Sequence, residues 1–118
     1  MSTQATTLVH DLFRIIDGRE FDRLPEVCHE DVVYERPGYE PIRGIDELIH
    51  FYREVRIIAR GEHHLTAVLL DEGHAACWGR FEGVHRNGTD LGVDFADTYV
   101  LEDGRIRHRK TFFFKPAV

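Results

Sequence analysis

Asp97 is the acid whose position in the sequence is hardest to explain as a surface group. In VDFADTYVL (93–101) the two-residue period of a strand puts Val93, Phe95, Asp97, Tyr99 and Leu101 on one face. Asp94, Ala96, Thr98 and Val100 take the other. The first face is apolar apart from Asp97, so burying it carries a carboxyl group into the core. Such a group must be paired, hydrogen-bonded or protonated, because desolvating a lone carboxylate is costly. Two readings stay open. Asp97 is a structural acid bonded to backbone or a base, or its proton affinity is tuned for catalysis.

The preceding segment AACWGRFEGVHR (75–86) places Ala76, Trp78, Arg80, Glu82 and Val84 on one face. Cys77, Gly79, Phe81, Gly83 and His85 lie on the other, and neither face is cleanly polar. Should Arg80 and Glu82 share the Asp97 face, one arginine and two carboxyls converge. Otherwise they form an exposed cross-strand pair of little weight. In DVVYER (31–36), Tyr34 is either a core residue with its hydroxyl at water or a donor in a pocket. Arg36, just before Pro37, is a rim charge or an anion anchor.

Other chemistries lack their signatures. His63 and His64 are adjacent, so a strand points them to opposite faces, and no histidine pair has metal-ligand spacing with a placed acid. No metal is expected. Without a GxSxG, a strand-following GxGxxG or a P-loop, no cofactor is expected either. Cys28 in a helical pattern and Cys77 in a strand pattern read as small core residues of a reduced, cytoplasmic protein.

The elements that must position these residues follow from periodicity. Leu8, Val9, Leu12, Phe13 and Ile16 form one helical stripe over 3–17, with Gly18 as its cap. Asp22 is positioned to cap a short helix with Leu24, Val27 and Cys28 inward and Pro25 in its first turn. A strand at 31–36 stops at Pro37-Gly38, and YEPIRG reads as a loop. From Ile45, the positions Leu48, Ile49, Tyr52 and Val55 mark a third helix ending before Gly61. Strands at 63–71, 75–86, 89–101 and 105–114 then form a meander. Asn87-Gly88 is its strongest hairpin signal, because both central residues of a type I′ turn need positive φ. The class is α+β, helices on one face of a largely antiparallel curved sheet.

At 118 residues the chain, 1–118, is one domain with a single core. A net charge of −6 without a basic tract argues against nucleic acid or an anionic membrane as partner. RIRHRK (105–110) alternates like a strand. No apolar run has transmembrane length, and MSTQATTLVHDLF lacks the layout of a signal peptide.

The order of elements, with LFRIIDGREFDRLPEVCHEDVVYERPG, PIRGIDELIHFYRE, WGRFEGVHRNG and FADTYVLEDGRIRHRKTFF, resembles the nuclear transport factor 2-like superfamily. Within it the chain is most similar to SnoaL-like and ketosteroid-isomerase-like proteins, from about Leu8 to Phe114. The resemblance implies a cone-shaped, cystatin-like fold of order ααβαββββ. It implies a cone lined by Tyr34, Arg36, Tyr52, Trp78, Arg80, Glu82, Val84, Tyr99, Thr111 and Phe113. Asp97 aligns with the acid that donates a hydrogen bond to the oxyanion in ketosteroid isomerase, a relative whose neutral acid is a known case.

Departures limit the transfer. Arg36 stands where the isomerase has its base, and Leu12 where it has its oxyanion tyrosine. Arg80-Phe81-Glu82 looks like the Arg-x-Asp of limonene epoxide hydrolase, and Tyr34 is similar to its water-positioning tyrosine. Thr111, however, replaces that family's second aspartate.

The expected function is a cofactor-free enzyme acting on a hydrophobic, polyketide-like small molecule by general acid–base chemistry, of cyclase, isomerase, dehydratase or epoxide-opening type. Asp97, Arg80 and Glu82 would be catalytic. The alternatives are a dimeric carrier of an apolar ligand and a protein adaptor. An outer sheet face carrying Ile106, His108, Phe112 and Phe114 leads to the expectation of a homodimer through the sheet.

Overall fold

A computed structural model describes residues 2–114, with side chains from Thr7 onward. Helix α1, Ser2–Asp17, buries Val9, Leu12, Phe13, Ile15 and Ile16 against the sheet. Its left-handed end residue is Arg19, with φ 58°, rather than Gly18. The Glu20 amide reaches back to Ile15 and the Arg19 amide to Ile16, a six-to-one and five-to-two closure. The short second helix, Phe21–Glu26, is a 3₁₀ helix with no side-chain cap.

Strand β1 runs from Cys28 to Glu35, so Cys28 opens a strand instead of closing a helix. The expected loop at 39–44 contains a two-residue strand, β2, Ile42–Arg43, paired with β1. Helix α2, Ile45–His50, continues into a π-helical turn, Phe51–Val55, closed by the Arg56 amide on the Phe51 carbonyl. This wider turn leaves Phe51, Tyr52 and Arg56 buried and Val55 exposed, against the expected inward Val55. Strands β3 (Ile58–Asp71), β4 (His74–His85), β5 (Asp90–Glu102) and β6 (Arg105–Phe113) complete the chain. The added β2 makes the order of elements longer than ααβαββββ. The six strands form one curved sheet in the order β2-β1-β6-β5-β4-β3, antiparallel except where β1 meets β6.

Two local features set which side chains face inward. A two-residue loop at Asn87-Gly88 would pair Arg86 with Thr89, and hence Trp78 with Asp97. Instead His85 closes on Thr89, Gly88 alone takes φ 92°, and Arg86-Asn87-Gly88 forms a three-residue loop. Cys77 therefore lies opposite Asp97, and Arg80 opposite Asp94. A one-residue slip moves every side chain of a strand to the other face. Ala75, Cys77 and Phe81 are buried, while Trp78, Arg80 and Glu82 are exposed.

The second feature is a bulge in β6. Leu101 pairs with Ile106 but Val100 pairs with His108, leaving Arg107 as the extra residue. Ile106, expected on the outer face, is fully buried. Beyond the bulge, Arg109 and Thr111 join the Asp97 face.

Candidate active site

Alternation along β5 holds, and Asp97 is 0% exposed. It accepts hydrogen bonds from Tyr99 Oη (2.8 Å), Arg109 Nε (2.8 Å) and Thr111 Oγ1 (2.6 Å). Thr111 spends its single proton on Asp97, so Tyr34 Oη, 2.7 Å away, donates to Thr111. Arg36 Nη1 approaches the Tyr34 oxygen at 3.4 Å. Arg109 Nη1 donates to Tyr52 Oη at 2.7 Å, and its guanidinium lies 4.2 Å from the centre of the Tyr34 ring. Burial opposes the Arg109 charge, but Asp97, then Tyr34, Tyr52 and Tyr99, hold its pKa well above the ordinary value. Burial pushes the Tyr52 hydroxyl up to about 12, with Arg109 acting the other way. Tyr52 thus keeps its proton, and since its oxygen already accepts from Arg109, that proton is free to be donated.

A second polar unit faces the same interior. His63 comes from β3 and Asp17 from the last residue of α1. Asp17 accepts from the His63 amide at 2.7 Å and lies 2.7 Å from Nδ1 of its ring. Bonded to a carboxylate, Nδ1 carries the hydrogen and Nε2 keeps a lone pair, with no partner among the described residues. The ring packs against Phe13, Phe81 and Phe95. Burial lowers the pKa of His63, Asp17 raises it, and Arg56 and Arg109 lower it further, with a net downward shift. The imidazole is therefore neutral near neutral pH.

Each unit contributes to the lining of one interior cavity, His63 from the second and Tyr34, Tyr52, Arg109 and Thr111 from the first, together with Arg36, Arg56, Phe81, Phe95 and Phe113. Its free space is about 10 Å³, roughly room for one water. Phe81 reaches this wall because Gly61 and Gly83 lie beneath it; a Cβ on Gly61 would sit 2.4 Å from its ring. A larger open concavity, about 750 Å³, runs along β3–β5 among Arg60, Glu62, Arg80 and Glu82. Those side chains are exposed, so their charges are screened.

The site residues read from sequence divide accordingly. Asp97, Tyr34, Arg36, Tyr52, Tyr99, Thr111 and Phe113 belong to the interior cluster or its lining. Arg80, Glu82 and Trp78 do not, because the register turns them outward. Arg80 pairs with Glu82 (3.4 Å) and Asp94 (3.2 Å) at the surface, and Trp78 is 42% exposed. Val84 lies on their side of β4, opposite Asp90. Arg56, His63, Asp17 and Arg109 went unnamed as site residues. Alternation beyond a bulge would have found Arg109, and the parity of His63 with the buried Ile58 is broken by another irregularity in β3. The Asp17–His63 contact joins residues 46 positions apart and leaves no local signature.

Elsewhere, His29, Glu102 and Asp103 bring possible ligand atoms within 4.8 Å of one another on partly or fully exposed side chains. Exposed acidic groups gather this way without an ion, so the cluster adds nothing to the interior site. Among the described residues no helix is long and apolar enough to cross a membrane.

The profile of the SnoaL-like domain matches residues 9–109. Among curated proteins, none matches the chain in sequence. Solved structures with the same fold include a protein of unknown function from Burkholderia pseudomallei K96243, described as NTF2-like. It has a TM-score of 0.85 and 19% identity, covering 93% of this chain and 90% of that one. A protein assigned as a SnoaL-like polyketide cyclase from Jannaschia sp. CCS1 has a TM-score of 0.83 at 18% identity, over 95% and 86% of the two chains. An LEH-like epoxide hydrolase of M. tuberculosis has a TM-score of 0.82 at 19% identity, over 94% and 83%.

Proposed function

For a chain that belongs to the SnoaL-like family, we propose a cofactor-independent enzyme that moves protons on a small hydrophobic molecule held in its interior. The observation that carries the reading is that His63, hydrogen-bonded to Asp17 behind it, lines the same cavity as the proton donor Tyr52. His63 Nε2 takes a proton from a carbon or hydroxyl of the substrate. Tyr52, polarised by Arg109, donates to the oxygen where negative charge develops. Positioned proton transfer of this kind contributes about 10²–10⁴-fold.

Asp97 has another part. Its three donors occupy it, so it positions Arg109 and Thr111 instead of exchanging protons itself. The chemistry is enolisation at its root, as cyclase, isomerase and dehydratase reactions require. The polyketide cyclase of the same fold supports chemistry of this sort, and the epoxide hydrolase supports the wider reading of small-molecule chemistry in this fold. The test is hydrogen–deuterium exchange at the activated carbon of an apolar 1,3-diketone, followed by NMR. Exchange above buffer that falls about 10²-fold in His63→Gln supports the reading. Exchange at the buffer rate, or unchanged in His63→Gln, contradicts it.

The small free volume of the interior favours a second reading, a protein adaptor whose interior is filled by its own side chains. Retention of a diketone without exchange would instead select a non-catalytic carrier of an apolar ligand, and neither retention nor exchange would select the adaptor. In either case the outer sheet face, with Leu69, Trp78, Val100, Phe112 and Phe114 exposed, supports a homodimer. A monomer mass by size-exclusion chromatography at micromolar concentration counts against that. Both thiols are buried and free, which fits a reducing compartment, and we assign the protein to the cytoplasm.

A further inference from the structure

Arg109 and Arg56 are both buried arginines of one cavity, and they differ in one respect. Arg109 has a carboxylate partner, Asp97. Arg56 is 7% exposed, and its side chain makes no hydrogen bond or ion pair among the described residues; its Nε is buried and unpartnered. What holds it is aromatic and backbone contact. Its guanidinium lies 5.2 Å from the Tyr52 ring centre and 5.4 Å from that of Phe81, and its carbonyl accepts from Arg86 Nε at 2.6 Å. A cation kept out of water without a counter-ion is an expensive feature, and strain of this kind belongs at binding sites more than in scaffolds.

We propose that Arg56 is the seat of a carboxylate group on an apolar ligand, bound in the interior beside His63.

A planar, two-oxygen anion matches the fork of a single guanidinium. The rings of Tyr52, Phe81, Phe95 and Phe113 line the same cavity and suit an apolar body. Phe81 contacts both groups, with His63 4.7 Å from it, so an acid held on Arg56 presents its neighbouring atoms to the His63 ring. Burial lowers the pKa of Arg56, with the charges of Arg36 and Arg109 adding to the shift, and an anion would relieve this. The free space of about 10 Å³ means that the ligand body displaces part of the wall. As a statement of substrate class the inference rests on the acid–base reading, but binding is measurable without turnover.

The probes are benzoate and its neutral analogue benzamide, added to the full chain and followed by thermal shift and amide NMR. Benzoate is expected to raise the melting temperature and benzamide to leave it unchanged. Arg56→Met is expected to weaken benzoate at least about tenfold, the loss of one charge-assisted contact. Free of ligand, Arg56→Met is expected to melt above the wild type, because an unpaired buried charge is gone. A ligand-free Arg56→Met that melts below the wild type overturns the proposal, as do equal responses to both probes, no response to benzoate, or a response indifferent to Arg56→Met. Benzoate binding through Arg56 without diketone exchange would leave this site standing and the acid–base reading fallen. The reverse pattern would do the opposite.

Discussion

Asp94 and Asp97 lie three residues apart on β5, and each meets an arginine, yet they live in different solvents. Asp94 meets Arg80 at 3.2 Å with both side chains half or more exposed. Asp97 meets Arg109 at 2.8 Å with side chains 0% and 6% exposed. The outer pair stays hydrated, so forming it changes little. The inner pair has lost its water and holds only because Tyr99, Thr111 and Tyr52 supply the remaining hydrogen bonds. Residue type does not separate the two; the pleat and the neighbouring strands do.

The largest expected effect is therefore at Asp97. Asp97→Ala strands the Arg109 charge and is expected to cost about 3–5 kcal/mol in urea unfolding. A loss below about 1 kcal/mol, the range of exposed pairs, would erase the distinction. The double variant Asp97→Leu/Arg109→Met removes both charges and should recover most of that loss. Losses that simply add would mean that the two residues act independently.

A smaller effect is expected from pH. Burial depresses the pKa of His63 in the folded state, with Arg56 and Arg109 assisting and Asp17 opposing. The unfolded chain takes up this proton near the ordinary value of about 6.5. Its contribution to stability is thus present above that pH and lost as pH falls toward the lower folded value. His63→Gln should flatten this part of the stability profile; an unchanged slope would show that other groups produce it. Smallest of all, Glu82→Gln on the outer face should shift stability within about 0.5 kcal/mol. A cost of several kcal/mol there would mean that the outer cluster is structural after all.

Much of the scaffold was legible because burial imposes a period. The α1 stripe and the alternation that buries Asp97 both follow from it. Register was not, because it turns on single residues. The hairpin at Asp103-Gly104 has φ 53° and 76°, as a two-residue loop requires, whereas at Asn87-Gly88 only the glycine is left-handed. That one extra loop residue sends Arg80, Glu82 and Trp78 outward. The bulge at Arg107 likewise buries Ile106 while still delivering Arg109 and Thr111 to Asp97. The π-helical turn brings in Arg56 at the expense of Val55. The Asp17–His63 pair depends on α1 ending over β3, a tertiary fact that no window of sequence contains.

The tautomer of His63, read from its ring nitrogens by ¹⁵N NMR on the free protein at neutral pH, tests the central claim most directly. The account predicts a neutral ring with its proton on Nδ1, hydrogen-bonded to Asp17, and a bare Nε2. A proton on Nε2, in either the neutral or the charged ring, would contradict it.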